Sequence, residues 1–419
     1  MKNTIFGILS AVTVVFASQF TQAGLLDLCM PCDEVAVCNP CDGVDYCGPI
    51  KAGKWFLNGH IEAGFFANGH GQKSSYTGAA ERLGRGADDL SGNTHLLENT
   101  RLTGGQVNQI YLSLGRSVDG KRGLEIGGKI DATWGSDAYI VQAKGKEYAS
   151  GHSAGRWGVD DYFGAIPQAY AEVAFKRWNV KAGQFYAPFG SETFKSTDRF
   201  FYSMDQASTF MPHVASGAYA TYALSDTLSI CSGWVVPGEF GESGKYNTVL
   251  GGLDWNPSKR MSFRYAFAAG TNTYANNDFG SNYNLFVHSL KAHYQLSKRL
   301  KYDFEWNLLN LNINDGGGNR HTVYAINHDI IYQHNRKWAL GARFGMVYND
   351  ADDSADLPFY LPAGDWLMVS LGANWTPNKW LTVKPEVRYD WMMDAAATPF
   401  NNETNTYQVS GGLSAVVKF

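Results

Sequence analysis

The chain has 419 residues with 35 basic and 39 acidic side chains, which gives a formal net charge of −4 at pH 7. This weak acidity argues against nucleic acid as a partner, because nucleic-acid-binding domains carry a basic surface. The mean hydropathy is −0.26, and no apolar run after Ala23 approaches the 18 residues of a transmembrane helix. The composition therefore excludes a helical membrane protein.

Glycine and aromatic residues are abundant, whereas charged residues are few. There are 46 Gly, 24 Phe, 23 Tyr and 12 Trp, and only 18% of the residues are charged. By length alone the chain could form two soluble domains. The composition instead favours a membrane β-barrel, whose strands end in aromatic girdles at the two membrane interfaces.

Residues 1–23 have the pattern of a signal peptide, since Lys2 is followed by an apolar stretch and then by Ala23. That apolar stretch is shorter than the roughly 20 residues that a membrane-spanning helix needs. The alternative is a short N-terminal anchor. A lipoprotein is disfavoured because Leu28 precedes Cys29 where a small residue is expected. The pattern predicts an exported protein.

Residues 24–53 form a predicted leader rich in Cys, Asp, Pro and Gly, with no strand or helix period. Its five cysteines are Cys29, Cys32, Cys38, Cys41 and Cys47. Export to an oxidising compartment favours disulfides or cross-links between chains; bound metal is the weaker alternative because the two C-x2-C pairs lie close together. The odd number suggests one link to another chain. Cys231, in an apolar strand, is interpreted as a small buried hydrophobic residue.

From residue 54 to 419 the sequence alternates apolar and polar residues, which is the period of β-strands. In Leu381–Asp390 one face is Leu, Val, Pro, Val, Tyr and the other is Thr, Lys, Glu, Arg, Asp. The alternation predicts 16 strands, which start near Lys54, Gln106, Arg122, Ile166, Arg177, Val214, Thr227, Tyr246, Lys259, Tyr283, Arg299, His321, Lys337, Trp366, Trp380 and Thr406.

The predicted connections alternate between short turns after even strands and longer loops after odd strands. An even strand number with one rim of short turns is typical of an all-β, antiparallel up-and-down barrel of a bacterial outer membrane, with both termini on the periplasmic side. The last strand ends at Phe419 after alternating apolar residues. Such an ending predicts recognition of Phe419 by the barrel-assembly machinery.

A barrel of 16 strands is wide enough for an aqueous channel. Charged side chains on the inward faces are costly against lipid and tolerated beside water in the lumen. The acidic set is Glu62, Glu125, Asp131, Glu172, Asp303, Glu305, Glu386 and Asp390, and the basic set is Lys129, Lys181, Arg264, Lys291, Lys301, Arg343, Lys384 and Arg388. The strongest candidates for the lumen wall are Arg264, Lys301, Arg343, Lys384, Glu386 and Arg388. The alternative is that these charges pair and merely fill the interior.

The third long loop, residues 187–212, is rich in aromatic and charged residues. Its charged members Glu192, Lys195, Asp198, Arg199 and Asp205 are candidates for a constriction if the loop folds into the lumen, where opposed charges would set a transverse field. The alternative is a surface loop packed by its own Phe and Tyr side chains.

Three segments also carry a family resemblance: QAYAEVAF (168–175), VKAGQFYAPFG (180–190) and STDRFFYS (196–203). Together they resemble the OmpL-like beta-barrel porin family of bacterial outer membranes, over roughly residues 54–419. The resemblance implies an outer-membrane barrel with a pore-like function and no particular solute. The Cys-rich leader lies outside the resemblance.

The motifs of common enzymes are missing: there is no G-x-S-x-G, P-loop or H-E-x-x-H sequence. Residues 314–319 and 350–356 carry oxygen ligands for Ca²⁺, but neither has the spacing of a calcium loop, and solvated acidic loops are the favoured interpretation. The sequence therefore predicts no enzyme, no cofactor and no metal site.

Two functions are compatible with these features. The first is a passive diffusion porin for small hydrophilic solutes or ions. The second is a structural envelope barrel, cross-linked to an envelope partner through its N-terminal cysteines. The predicted partners are outer-membrane lipid, the barrel-assembly machinery, a second copy of the chain in a homo-oligomer and, for the second function, a disulfide-linked envelope protein.

Overall fold

The computed structural model describes residues 55–69, 104–143, 146–147, 157–158, 162–190, 193–207, 211–237, 247–272, 283–313, 320–350, 364–393, 398, 400 and 404–419. These residues form 16 strands. The strands are β1 Trp55–Asn68, β2 Gly104–Arg116, β3 Leu124–Gly135, β4 Phe163–Phe175, β5 Trp178–Tyr186, β6 Val214–Ala223, β7 Leu228–Pro237, β8 Asn247–Ser258, β9 Met261–Asn272, β10 Tyr283–Gln295, β11 Leu300–Ile313, β12 Arg320–Gln333, β13 Trp338–Asp350, β14 Gly364–Asn378, β15 Leu381–Met392 and β16 Tyr407–Lys418. The predicted strand number is confirmed, and the largest error in a predicted start is at β4, which begins at Phe163 rather than near Ile166.

The strands form one closed antiparallel barrel in which each strand pairs with its neighbours in sequence and β1 pairs with β16. At the seam, the Gly59 N–H donates to the Phe419 carbonyl at 2.9 Å and the Phe419 N–H donates to the Gly59 carbonyl at 3.0 Å. Closure gives the strands no free edge, which a bilayer requires because lipid offers no hydrogen-bond partner. The predicted fold class is therefore confirmed.

The two faces of each strand separate as the two-residue period predicts. On β15, Val387 is 60% exposed on the outer face. The neighbouring Glu386 and Arg388 are buried on the lumen side. Apolar side chains outside and charged side chains inside are the arrangement of a barrel in lipid around a polar interior.

Aromatic side chains mark the rims of the barrel. Near the short turns, Trp338 on β13 stacks on Trp375 on β14, with ring centroids 6.0 Å apart, and Trp178, Trp255 and Trp380 are exposed on neighbouring hairpins. Amphipathic rings at strand ends suit the boundary between lipid and water. They mark the edge of the apolar band on the side of the short turns.

The connections also follow the prediction. The turns after even strands are short, such as residues 176–177 and 259–260, and the loops after odd strands are longer. A 3-10 helix at Ser136–Val141 begins the second long loop, and all of its residues are buried. Within the described ranges, no helix has the length and apolarity of a membrane span. The predicted signal peptide, the Cys-rich leader and residue 54 lie outside the described residues.

The lipid-facing assignment predicts a depth-dependent cost for a charge on β15. Val387→Lys places an ammonium near the middle of the apolar band and should lower the free energy of unfolding by about 2–4 kcal/mol. Leu381→Lys, on the same face at the rim, should cost about 0–1 kcal/mol. Urea unfolding in lipid vesicles measures both values, and equal losses would contradict this orientation.

Candidate functional site

The third long loop joins β5 to β6, and the structure places its described residues, 187–190, 193–207 and 211–212, inside the barrel. Its aromatic residues Phe200, Phe201 and Tyr202 lie where lumen-facing strands carry glycine. A Cβ on Gly341 of β13 would come within 2.2 Å of the Phe200 ring, and one on Gly412 of β16 within 2.5 Å of the Tyr202 ring. The absence of a side chain at these glycines therefore leaves pockets, here called the glycine seats, into which the rings pack.

Wall charges on β15 bind the backbone of loop 3. The carboxylate of Glu386 accepts hydrogen bonds from the N–H of Ser203 at 2.8 Å and from its hydroxyl at 2.7 Å. The guanidinium of Arg388 donates to the Ser203 hydroxyl at 3.1 Å and to the Met204 carbonyl at 2.5 Å. Hydrogen bonds to charged groups are worth more than neutral ones, so Glu386 and Arg388 hold the middle of the loop.

Two further wall candidates contact the same loop. The Lys384 ammonium donates to the carbonyls of Ser196 at 2.5 Å and Arg199 at 2.6 Å. The Arg343 guanidinium lies 4.3 Å from the centre of the Phe201 ring and donates to the Ser203 carbonyl at 3.3 Å. Four of the six predicted wall residues thus fasten loop 3 to β13 and β15.

The other two wall candidates pair along the wall. Arg264 on β9 donates to Asp254 on β8 at 2.9 Å, and both side chains are buried. Lys301 on β11 lies 3.3 Å from Asp303, and this pair remains partly exposed. Both pairs face the lumen, and their charges are locally balanced.

The predicted charges of loop 3 differ in exposure. Lys195, Arg199 and Asp205 are buried, whereas Asp198 is exposed, and Glu192 lies outside the described residues. Among the charged residues of loop 3 that the structure describes, Asp198 is the one in contact with water. The role of these residues at a constriction stays a prediction.

A buried cluster joins loop 3 to the wall and to the second loop. The Arg199 guanidinium lies 3.3 Å from Glu62 on β1 and 3.5 Å from Asp137 in the 3-10 helix. Asn108 and Gln109 on β2 donate to the two Asp137 oxygens at 2.9 and 3.1 Å. Two carboxylates thus share one guanidinium, and amide and hydroxyl groups donate further hydrogen bonds to both carboxylates.

Burial changes the proton affinity of two loop residues. Burial raises the pKa of Asp137 to about 6; the Arg199 charge opposes this rise and the Glu62 charge adds to it. Burial lowers the pKa of Lys195 to about 8, and the positive charge of Lys129 acts in the same direction. The Lys195 ammonium lies 5.1 Å from the centre of the Tyr111 ring, which partly replaces its lost hydration.

The sequence pattern did not predict the role of Asp137 or the glycine seats. Asp137 lies in a loop, where no period marks which side chains turn inward. The signal for the seats is the occurrence of glycine at inward positions of adjacent strands: Gly341 pairs with Gly372 in register. Each glycine alone looks like an ordinary weak point in a strand.

The described residues hold no group of three or more His, Cys, Asp or Glu side chains arranged for a metal ion. Two segments, residues 314–319 and 350–356, were considered for Ca²⁺. All of their residues except Asp350 lie outside the described residues. The leader cysteines lie outside them as well. The described charged and polar side chains hold loop 3 against the barrel wall through hydrogen bonds.

Comparisons with known proteins agree with the barrel. The family model described as "Putative beta-barrel porin-2, OmpL-like" matches residues 57–419. A loop-deletion mutant of OmpT, an outer membrane protein of Vibrio cholerae, superposes with a TM-score of 0.56 at 11% identity, covering 88% of this chain and 100% of that one. An anion-selective porin from Comamonas acidovorans gives a TM-score of 0.53 at 9% identity, covering 87% and 99%. No curated protein matches the sequence.

The contacts of Glu386 predict that its removal loosens loop 3. In Glu386→Ala the Ser203 N–H and hydroxyl lose their acceptor, so hydrogen exchange of the loop backbone around Ser203 should accelerate several-fold. Glu125→Ala is the matched control, because Glu125 accepts from the backbone N–H groups of Asp119 and Gly120 in the short turn between β2 and β3. Exchange mass spectrometry reads both, and an unchanged rate in Glu386→Ala would contradict the fastening.

The raised pKa of Asp137 predicts a pH dependence of stability. The ordinary pKa of the group is 3.8 and the folded value is about 6, so between these values the folded state binds more protons than the unfolded state. Stability relative to Asp137→Asn should therefore increase as pH falls from 7 to 4, by roughly 1–3 kcal/mol. Urea unfolding of both proteins from pH 7 to pH 4 measures this, and parallel curves would contradict it.

Proposed function

Because the chain belongs to the OmpL-like beta-barrel porin-2 family, whose model matches residues 57–419, we propose that it is a porin of the bacterial outer membrane. It conducts small hydrophilic solutes or ions by passive diffusion. The observation that carries the proposal is a closed 16-strand barrel with a loop fastened inside its lumen. A barrel of this strand number is wide enough to contain water.

Loop 3 supports a narrowed rather than an open channel. Its aromatic rings and its backbone occupy the lumen face of β13, β15 and β16. Loop 3 then bounds the solute path on one side, and His293, Lys301 and Asp303 on β10 and β11 are wall residues that keep partial exposure. Such a path limits solute size and presents charges of both signs.

Selectivity is assigned to charges that contact water. Arg199 is paired with the buried Glu62. Low exposure removes both Lys195 and Arg199 from direct contact with a passing ion. Asp198 is exposed in the lumen loop. A carboxylate there attracts cations and repels anions over a distance of about one Debye length, roughly 8–10 Å.

The structural-envelope alternative has no separate support among the described residues, since the leader on which it depends lies outside them. No enzymatic activity is proposed, because the described charged clusters bind loop 3 or one another. Recognition of Phe419 by the barrel-assembly machinery, contact with outer-membrane lipid and a homo-oligomer stay predictions.

The proposal predicts stepwise conductance of the purified protein in planar bilayers. Asp198→Lys should shift the reversal potential in a salt gradient towards anions by several millivolts or more. Asp226→Lys, which makes the same charge change in the exposed turn after β6, is the matched control and should shift it little. A folded protein that gives no conductance steps would overturn the porin function, and equal shifts in the two variants would overturn the role of Asp198.

A further inference from the structure

The seven short turns that follow the even-numbered strands β2 to β14 are strongly basic. Together they comprise 25 residues and hold 11 of the 35 basic side chains of the protein, against two of its 39 acidic ones. The rest of the chain therefore carries 24 basic and 37 acidic side chains. The net negative charge of the protein hides a positive surface at one end of the barrel. The 11 basic side chains are here called the basic rim.

The basic side chains recur mostly as pairs. In five of the turns a lysine stands next to an arginine, at residues 121–122, 176–177, 259–260, 298–299 and 336–337. The turn after β14 has Lys379 alone, and the charged residue of the turn after β6 is Asp226. All 11 basic side chains are exposed, so they are accessible to a partner.

The basic rim runs around the circumference, because the strands close into a barrel. Neighbouring turns are two strands apart, which is roughly 12 Å along the rim for strands about 4.8 Å apart and tilted about 40°. The field of a charge in physiological salt extends over about 8–10 Å. The fields of neighbouring turns therefore overlap into a positive band, with a break at Asp226.

Carboxylates of the protein do little to neutralise this band. Arg122 lies 3.7 Å from Glu125, but its side chain is 68% exposed, and an ion pair in water is weak. Lys259, Arg260 and Arg336 form no ion pair with the residues that the structure describes. Like charges at this spacing repel one another, so an anionic partner outside the chain would stabilise the basic rim.

The basic rim lies at the level of the aromatic girdle. In three turns an exposed tryptophan directly follows the last basic residue: Trp178, Trp338 and Trp380. The Lys176 ammonium lies 5.0 Å from the centre of the ring of Phe175, which is exposed on the outer face. Tryptophan at strand ends marks the boundary between lipid and water, which is the depth of phospholipid headgroups.

Two features favour lipid over an acidic protein or polymer as the partner. The charges surround most of the barrel, whereas a docked protein would need them on one side. They also lie beside rings at headgroup depth, where the phosphates of phospholipids are found and where basic side chains attract anionic lipids. The surface therefore fits the lipids that encircle the barrel.

We propose that the basic rim binds the phosphate groups of anionic phospholipids in the leaflet that borders the short turns. Each pair offers an ammonium and a guanidinium to a phosphodiester, while the acyl chains lie against the apolar outer face of the strands. The barrel thereby gathers a shell of anionic lipid at one rim, which fixes its depth in the membrane. This surface acts independently of conduction.

Lipid retention by the folded full chain tests the proposal. The protein is equilibrated in mixed micelles with equal amounts of phosphatidylglycerol and phosphatidylcholine of identical acyl chains, and it is re-isolated for lipid analysis by mass spectrometry. Phosphatidylglycerol should be retained in about tenfold excess or more, since each basic side chain near an anionic surface contributes about fivefold. The excess should shrink at high salt. Equal retention of the two lipids would overturn the proposal.

Variants in two neighbouring turns test the assignment to the rim. Lys259→Gln, Arg260→Gln, Lys298→Gln and Arg299→Gln combined should lower the excess at least about threefold. The matched control exchanges lysine and arginine at the same four positions, keeps the charge and should bind like the unmodified protein. Asp226→Lys closes the break in the band and should raise the excess. A neutralised variant that retains lipid like the unmodified protein would contradict the assignment.

Folding of each variant is verified by heat-modifiable migration in gels. If the fourfold neutralised variant does not fold, Arg336→Gln with Lys337→Gln repeats the comparison in one turn. The lower excess should then appear in this double variant, and an excess equal to that of the unmodified protein would contradict the assignment.

Two competitors distinguish the sources of negative charge. Inorganic phosphate lacks acyl chains and polyglutamate is an acidic polymer in water, so neither should displace the lipid at equal charge concentration. Displacement by phosphate would indicate a plain anion site, and displacement by polyglutamate a site for an acidic macromolecule; either result would overturn the lipid assignment. Because lipid is measured rather than current, a silent channel would leave this surface standing, and equal lipid retention would leave the porin function standing.

Discussion

The structure depends on one constraint: every backbone N–H and C=O group inside a bilayer must find its partner within the protein. The chain meets it by pairing β1 with β16, and the last residue takes part, since Phe419 and Gly59 exchange both of their backbone hydrogen bonds. Closure with 16 strands also sets the width. A narrower barrel would fill with its own side chains, whereas this one has room for a loop and for water.

That width creates a second problem, because a wide polar lumen does not by itself hold a loop in one place. The barrel solves it with two complementary devices. Glycines on β1, β13, β14 and β16 leave pockets for the consecutive rings of Phe200, Phe201 and Tyr202. Between the pockets, Glu386 and Arg388 bind the loop backbone. The glycine pockets hold the rings in place and the charged side chains hold the main chain, so the loop has little freedom to leave the lumen.

The fold was predictable from sequence to a large extent. A lipid-facing residue and its lumen-facing neighbour must differ in polarity, so Val387 and Arg388 reveal their faces without any knowledge of distant residues. The same local rule predicted that Arg343, Lys384 and Glu386 face inward. It could not show that these charges bind loop 3, because their partners lie more than a hundred residues away in sequence.

The features that the sequence pattern did not predict share a physical cause. The glycine seats are formed by strands that become adjacent only when the barrel closes, and Asp137 lies in a loop whose direction no local period indicates. Each of these features is a relation between distant segments, and a one-dimensional pattern carries little information about such relations.

The distribution of charge changes the view of the lumen. Inward charges of both signs looked like a hydrated conducting wall, yet several are buried and used for attachment: Arg199 with Glu62 and Asp137, Arg343 with Asp329, and Arg388 with Asp390. A buried pair is nearly neutral at a distance, so it contributes little to the field that a passing ion meets. The field in the channel then depends on the few charges that keep contact with water. Counting inward charges therefore overestimates the number of residues that can set selectivity, and the exposure of each side chain is the better guide.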